Sequence, residues 1–177
     1  RPGRPVELGR AIGALARTLQ AMPRDEAIAK LKKDHSLDER AAGNLVRYLA
    51  DQAQATGEVP SDRTIIVERY IDEIGTFCVC VLSPFGARVH APWSQAVLAR
   101  MNAQRSGTVE AIWSDDGMVF RLPESEEPPD TSELLPAPDE VEDRIVASLG
   151  QTSLFAARFR ENAGRALLLP RRRPGER

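Results

Sequence analysis

Long apolar runs are missing from this sequence of 177 residues, and none approaches the roughly 20 residues needed to cross a bilayer. No charged segment followed by an apolar one opens the chain, so no secretory leader is expected. Cysteine is scarce. Cys78 and Cys80 lie one residue apart on a strand-like segment, too close and wrongly directed for an easy mutual disulfide. A reducing cytoplasm is therefore the expected location. Neither Gly-x-x-x-x-Gly-Lys nor Gly-x-Gly-x-x-Gly occurs, so nucleotide hydrolysis is not encoded in these residues. A basic excess is absent as well. With a net charge of -2 and a pI near 5.8, any nucleic-acid contact must come from a local patch. The chain begins on Arg1-Pro2-Gly3 without an initiator methionine and ends on Pro174-Gly175-Glu176-Arg177, which reads as a piece of something longer.

A hydrophobic content of 42% is enough for a real core in one domain or one domain with a docked tail. Leu8, Ile12, Leu15 and Leu19 form one stripe of an amphipathic helix, with Arg10 and Arg17 on its other face. Pro23 suits a first helical position and Asp25 and Glu26 its first turn, so a second helix runs to about Asp34, anchored by Ile28 and Leu31. Ser36 with Glu39 reads as a capping box opening a third helix, which Gly57 stops. From Arg63 the period changes to two, Asp72-Glu73-Ile74-Gly75 makes a turn, and Phe77 to Leu82 returns as a strand apolar on both faces and hence central. Pro84 and Gly86 break that strand, and Pro92 suits the start of a helix to about Gln104. A second hairpin joins Thr108–Trp113 to Met118–Leu122 through Ser114-Asp115-Asp116-Gly117. Residues 123–138 are acidic and proline-rich and read as a surface loop. Asp139 with Glu142 caps a helix to Leu149, Gly150 stops it, and Ser153 opens another with Phe155 and Phe159 one turn apart.

Few residues offer chemistry. Cys78, Cys80, His35 and His90 are possible zinc ligands, but two cysteines on one strand face do not converge as a Cys-x-x-Cys turn does. A thiol in an apolar strand has a raised pKa, which argues against a nucleophile beside His90. The acidic Ser114–Gly117 run needs no role beyond its turn. The elbow from Ser83 to Trp93 is more suggestive. An exposed helix start offers unpaired N–H groups, Gly86 admits close backbone approach, and Arg88 and His90 add donors for a phosphate. Trp93 either stacks on an unpaired base or, aligned with Val97 and Met101, belongs to the core. Arg158, Arg160, Arg165, Arg171, Arg172 and Arg173 form the dense basic region. That region is either a solvated face or a phosphate-backbone contact, and Glu161 can pair with Arg158 or Arg165.

Five runs carry a family resemblance. They are Asp62 to Glu68, Leu82 to Trp93, Ser114 to Gly117, Phe155 to Asn162, and Leu167 to Arg173. In order and spacing they resemble the DEAD/H-associated region of Lhr-type (large helicase-related) helicases. In that family the region follows two RecA-like motor domains and a winged-helix domain, within an ATP-dependent helicase moving 3′ to 5′ on single-stranded DNA. The resemblance implies no catalytic residue or cofactor in these residues, with ATP and Mg²⁺ held by the motor domains. It implies as partners single-stranded DNA, or an RNA:DNA hybrid, together with the RecA-like and winged-helix domains, and no membrane. Arg88, His90, Trp93 and the closing arginines are its candidate contacts.

The expected fold class is α+β: amino-terminal helices, an antiparallel sheet built from two β-hairpins with an intervening helix, and carboxy-terminal helices. Residues 1–58 form the helical segment, 59–122 and 139–170 the α+β core, 123–138 the loop and 171–177 a basic tail. The expected function is guidance of single-stranded DNA beside a helicase motor. The alternative is a docking module that never touches nucleic acid.

Overall fold

The computed structural model describes residues 3–104, 109–122 and 129–168. Three helices come first, α1 (Val6–Gln20), α2 (Arg24–His35) and α3 (Glu39–Thr56). The hairpin β1 (Ile66–Ile71) and β2 (Phe77–Leu82), the helix α4 (Ala87–Gln104), and the hairpin β3 (Glu110–Trp113) and β4 (Gly117–Leu122) follow. A short helical turn at Thr131–Leu134 leads to α5 (Val141–Leu149) and α6 (Ser153–Arg165). The four strands make one antiparallel sheet in the order β1-β2-β4-β3. The α+β expectation holds, and β2 lies inside the sheet, as its two apolar faces require.

The pleat assigns the strands' side chains to two faces. Val79 and Val81 of β2 stand beside Met118 and Phe120 of β4, and α4 covers this face with Val97 and Met101. All six are buried. A second cluster joins α1, α2 and α3 around Leu19, Leu31, Ala42 and Leu49. At the β1–β2 turn, Gly75 adopts a φ of 84°, and the Asp72 carboxylate accepts from the amides of Ile74 and Thr76. The Thr76 amide is the largest cause holding the Asp72 carboxyl below its usual range, and Arg121 adds an ion pair at 3.1 Å.

Several local expectations are corrected. Ser36 does not cap α3: it is the left-handed residue ending α2, at φ 55°, and Asp38 caps α3 by accepting from the Ala41 amide. The Asp139 and Glu142 cap is not formed either, since the residue before α5 is Glu140 and no side chain caps that end. The amino-terminal stripe is only half buried, with Leu8 52% and Ile12 39% exposed. The close approach of α1 is made by Gly9 and Gly13 instead, seated on the backbones of Pro84–Phe85, just after β2, and Ser61–Asp62, which precede β1. Of the acidic, proline-rich stretch, residues 123–128 lie outside the described residues. The remainder is docked rather than loose: Pro129 and Leu134 are buried, and Asp130 and Glu133 form a capping box. The described helices include none long and apolar enough to cross a membrane.

Candidate nucleic-acid interface

The elbow from Ser83 to Trp93 folds differently from its sequence reading, because α4 begins at Ala87 and Pro92 sits inside it. Gly86 is the hinge. Its φ of 93° favours glycine, and a Cβ there would lie closer than 3.0 Å to the Arg4 carbonyl oxygen. The amides of Val89 and His90 bond back to the Gly86 carbonyl, and the Ala87 amide donates to Asp115 Oδ1 at 2.9 Å. That same oxygen accepts from the Arg4 amide at 2.7 Å. The helix start expected to be open to a phosphate therefore already holds an anion, the carboxylate of the β3–β4 turn.

Two amides aimed at one oxygen, Ala87 first and Arg4 second, hold the Asp115 carboxyl below its usual range. A carboxylate with a depressed folded pKa stabilises the fold above its unfolded value of about 4, and that contribution is lost as pH falls through the folded value. Asp115→Asn is therefore expected to lower the melting temperature at pH 7. The gap from wild type should narrow as the pH falls below the unfolded value of about 4, which thermal melts from neutral to acidic pH will check.

His90 is fully buried. Its Nδ1 lies 2.8 Å from the Ser114 carbonyl oxygen and its Nε2 lies 3.0 Å from Ser83 Oγ. A carbonyl only accepts, so Nδ1 carries the proton and Nε2 takes the Ser83 hydroxyl hydrogen. The Ser–His spacing matches that of a nucleophile and its base, but Ser83 is 1% exposed and a substrate cannot reach it. As a phosphate ligand, His90 is thus corrected to a core strut tying β2, α4 and the β3–β4 turn together. Trp93 packs on the sheet core, and its Nε1 donates to the Leu134 carbonyl at 2.7 Å. Of its two readings, the structure favours core. Arg88 alone of the three is exposed, and it makes no hydrogen bond or ion pair with another described residue.

On α6, Thr152 caps the helix by accepting from the Phe155 amide. Arg158, Arg160 and Arg165 are all exposed, and Glu161 pairs with two of them, Arg158 at 2.9 Å and Arg165 at 2.7 Å. Phe155 and Phe159 stack with ring centroids 6.0 Å apart while remaining 40% and 64% exposed. Aromatic faces beside guanidinium groups are the parts of a single-strand contact. Arg171, Arg172 and Arg173 lie outside the described residues. Among the described residues, no hydrogen bond or ion pair joins the elbow candidates to those of α6.

Sequence reasoning missed Asp115 as a helix cap, because the Asp-Gly turn signal absorbed it, and read Trp113 as core or hairpin packing, whereas it is 39% exposed at the sheet edge. Burial raises the Cys80 thiol, with Glu68 adding to the effect, which makes it a poor nucleophile. Among the described residues, no three His, Cys, Asp or Glu side chains gather as a metal site would need.

The family model described as DEAD/H associated matches residues 59–177. The chain belongs to the DEAD/H associated family. It is 44% identical over 176 residues to the Lhr helicase/probable uracil glycosylase of Mycolicibacterium smegmatis, covering 99% of this chain and 12% of that protein. To the Lhr helicase/uracil glycosylase of Escherichia coli it is 37% identical, covering 99% of this chain and 11% of the relative. A solved structure of the Mycobacterium smegmatis helicase Lhr bound to ssDNA and AMP-PNP superposes with a TM-score of 0.87 at 43% identity, across 99% of this chain and 22% of that one. This DEAD/H associated chain therefore spans about an eighth of its curated relatives and corresponds to an accessory domain of Lhr-type helicases.

Proposed function

We propose that this chain is an accessory nucleic-acid-binding module of an ATP-dependent 3′-to-5′ DNA helicase of the Lhr type. In this reading it guides single-stranded DNA, or one strand of an RNA:DNA hybrid, in the cytoplasm. RecA-like domains elsewhere in the polypeptide bind ATP and Mg²⁺ and pull the strand. The observation that carries the reading is α6, where Arg158, Arg160 and Arg165 and the stacked Phe155–Phe159 pair all reach solvent. Guanidinium groups hold phosphates without regard to sequence, and exposed aromatic faces accept any unpaired base. The relative solved with ssDNA lends support.

Titration of a labelled single strand at several salt concentrations tests it. The expected result is weak, sequence-independent binding that falls steeply with salt. Replacing Arg158, Arg160 and Arg165 together by alanine is expected to weaken all sequences alike and to flatten the slope of log affinity against log salt by about 2, from about 0.7 per phosphate contact on single strands.

A second reading draws on the elbow. His90 and Trp93 spend their polar atoms inside the fold, which suits a docking module that packs on motor domains. Undetectable binding at low salt would select that reading.

A further inference from the structure

A cleft of about 900 Å³ opens between the edge strand β3 and the helices α4 and α5, away from the Ser83–Trp93 elbow. Its apolar lining includes Leu98, Ala111 and the partly exposed Trp113. The two tryptophans differ in a telling way. The Nε1 of Trp93 is satisfied by a buried carbonyl, whereas that of Trp113 has no acceptor among the described residues, and its ring is 39% exposed. Gln95 and Gln151 line the same cleft, and their carboxamides bond to no other described residue. An exposed indole with an unspent N–H, sharing a cleft with uncommitted amides, suits a flat partner with a π face and a hydrogen-bonding edge.

We infer that this cleft receives an unpaired nucleobase, stacked on Trp113 and met at its edge by Gln95 and Gln151. The inference rests on the single-strand reading above and assigns it a second contact. Continuity supports this occupant: the lining includes Thr152 and Ser153, the cap and first residue of α6, the helix that carries Arg158 and Arg160. Neutral amides and hydroxyls make up much of the polar lining, as base recognition uses, and the charged residues there are Glu110 and Arg144, the latter paired with Glu140.

The test is a titration of the 177-residue chain with labelled oligo-dT and with an abasic strand of equal length. Wild type, Trp113→Ala, Trp113→Phe and the α6 triple-alanine variant are compared, and thermal melts verify each fold. Stacking on one base implies that Trp113→Ala weakens oligo-dT binding about ten-fold. The salt slope should stay unchanged, Trp113→Phe should restore most of the affinity, and the abasic strand should bind wild type and Trp113→Ala alike. Equal binding of oligo-dT by wild type and Trp113→Ala, with the α6 variant still impaired, overturns the cleft assignment and leaves the module reading standing. An equal loss on both strands makes Trp113 a structural residue and also overturns it. If wild type binds neither strand, both fall together.

Discussion

His90→Ala is expected to lower the unfolding free energy by about 4 kcal/mol. Removing a ring that is fully buried leaves a cavity where β2, α4 and the β3–β4 turn meet, and such truncations cost about 2 to 5 kcal/mol. The Ser114 carbonyl and the Ser83 hydroxyl also lose their partner, and each group left unpaired in the interior adds about 1 to 3 kcal/mol. Partial solvation of Ser114, which is itself exposed, offsets some of that sum. Urea unfolding followed by circular dichroism measures the loss, and His90→Gln, whose amide reaches one of the two partners, should fall between. A loss under about 1 kcal/mol in His90→Ala would mean that the ring is not the strut described above.

That expectation inverts the reading of His90 as a phosphate ligand, and the reason bears on what a sequence can disclose. The architecture was legible because local signals agreed with each other. Alternation from Ile65 onward, the apolar run Phe77–Leu82 and the Asp116–Gly117 turn all pointed to two hairpins, and the structure has them. The elbow was not legible because its cap is not local. A proline reads as a helix start when only its neighbours are visible, yet Asp115 caps α4 from a turn 28 residues on, so the helix begins five residues before Pro92. Lacking an N–H, Pro92 gives up the bond to the Arg88 carbonyl, a loss confined to the exposed side of the second turn. Trp93 did carry a visible signal in its spacing with Val97 and Met101, and the core reading follows it. The acidic stretch misled in a similar way. Its composition forbids a core of its own, but Trp93, Arg69 and Arg100 donate to the carbonyls of Leu134, Pro129 and Ser132 and fix it from outside. On α6 the sequence did better, because exposed arginines and a Phe pair one turn apart depend on helical spacing alone.

Gly13→Val should cost about 3 kcal/mol and should do so by lifting α1 off the loops that flank β1 and β2. An apolar stripe was the visible feature of α1, yet two of its members face solvent, and the contact is made where side chains are missing. A Cβ on Gly13 would lie closer than 3.0 Å to the Asp62 amide nitrogen and the Ser61 carbonyl carbon. Both are backbone atoms, which cannot swing aside as the end of a side chain can. Overpacking of this kind costs about 1 to 3 kcal/mol, and the two further methyl groups of valine place the loss at the upper end. One turn away, Arg17 pairs with Asp62 through Nε at 2.8 Å and Nη2 at 3.1 Å, a two-pronged geometry that a shifted helix cannot keep. The Asp62 carboxyl, held low chiefly by that Arg17 hydrogen bond, should then titrate closer to an ordinary aspartate, which NMR of the side chain can follow. Gly9→Ala should act in the same direction, because its Cβ would meet the backbone of Pro84 and Phe85, next to the Gly86 hinge. The two glycines lie one helical turn apart on one face, so their effects should be coupled rather than additive. A double variant that loses little more than the worse single one would show that α1 leaves these loops as a unit once either contact is broken.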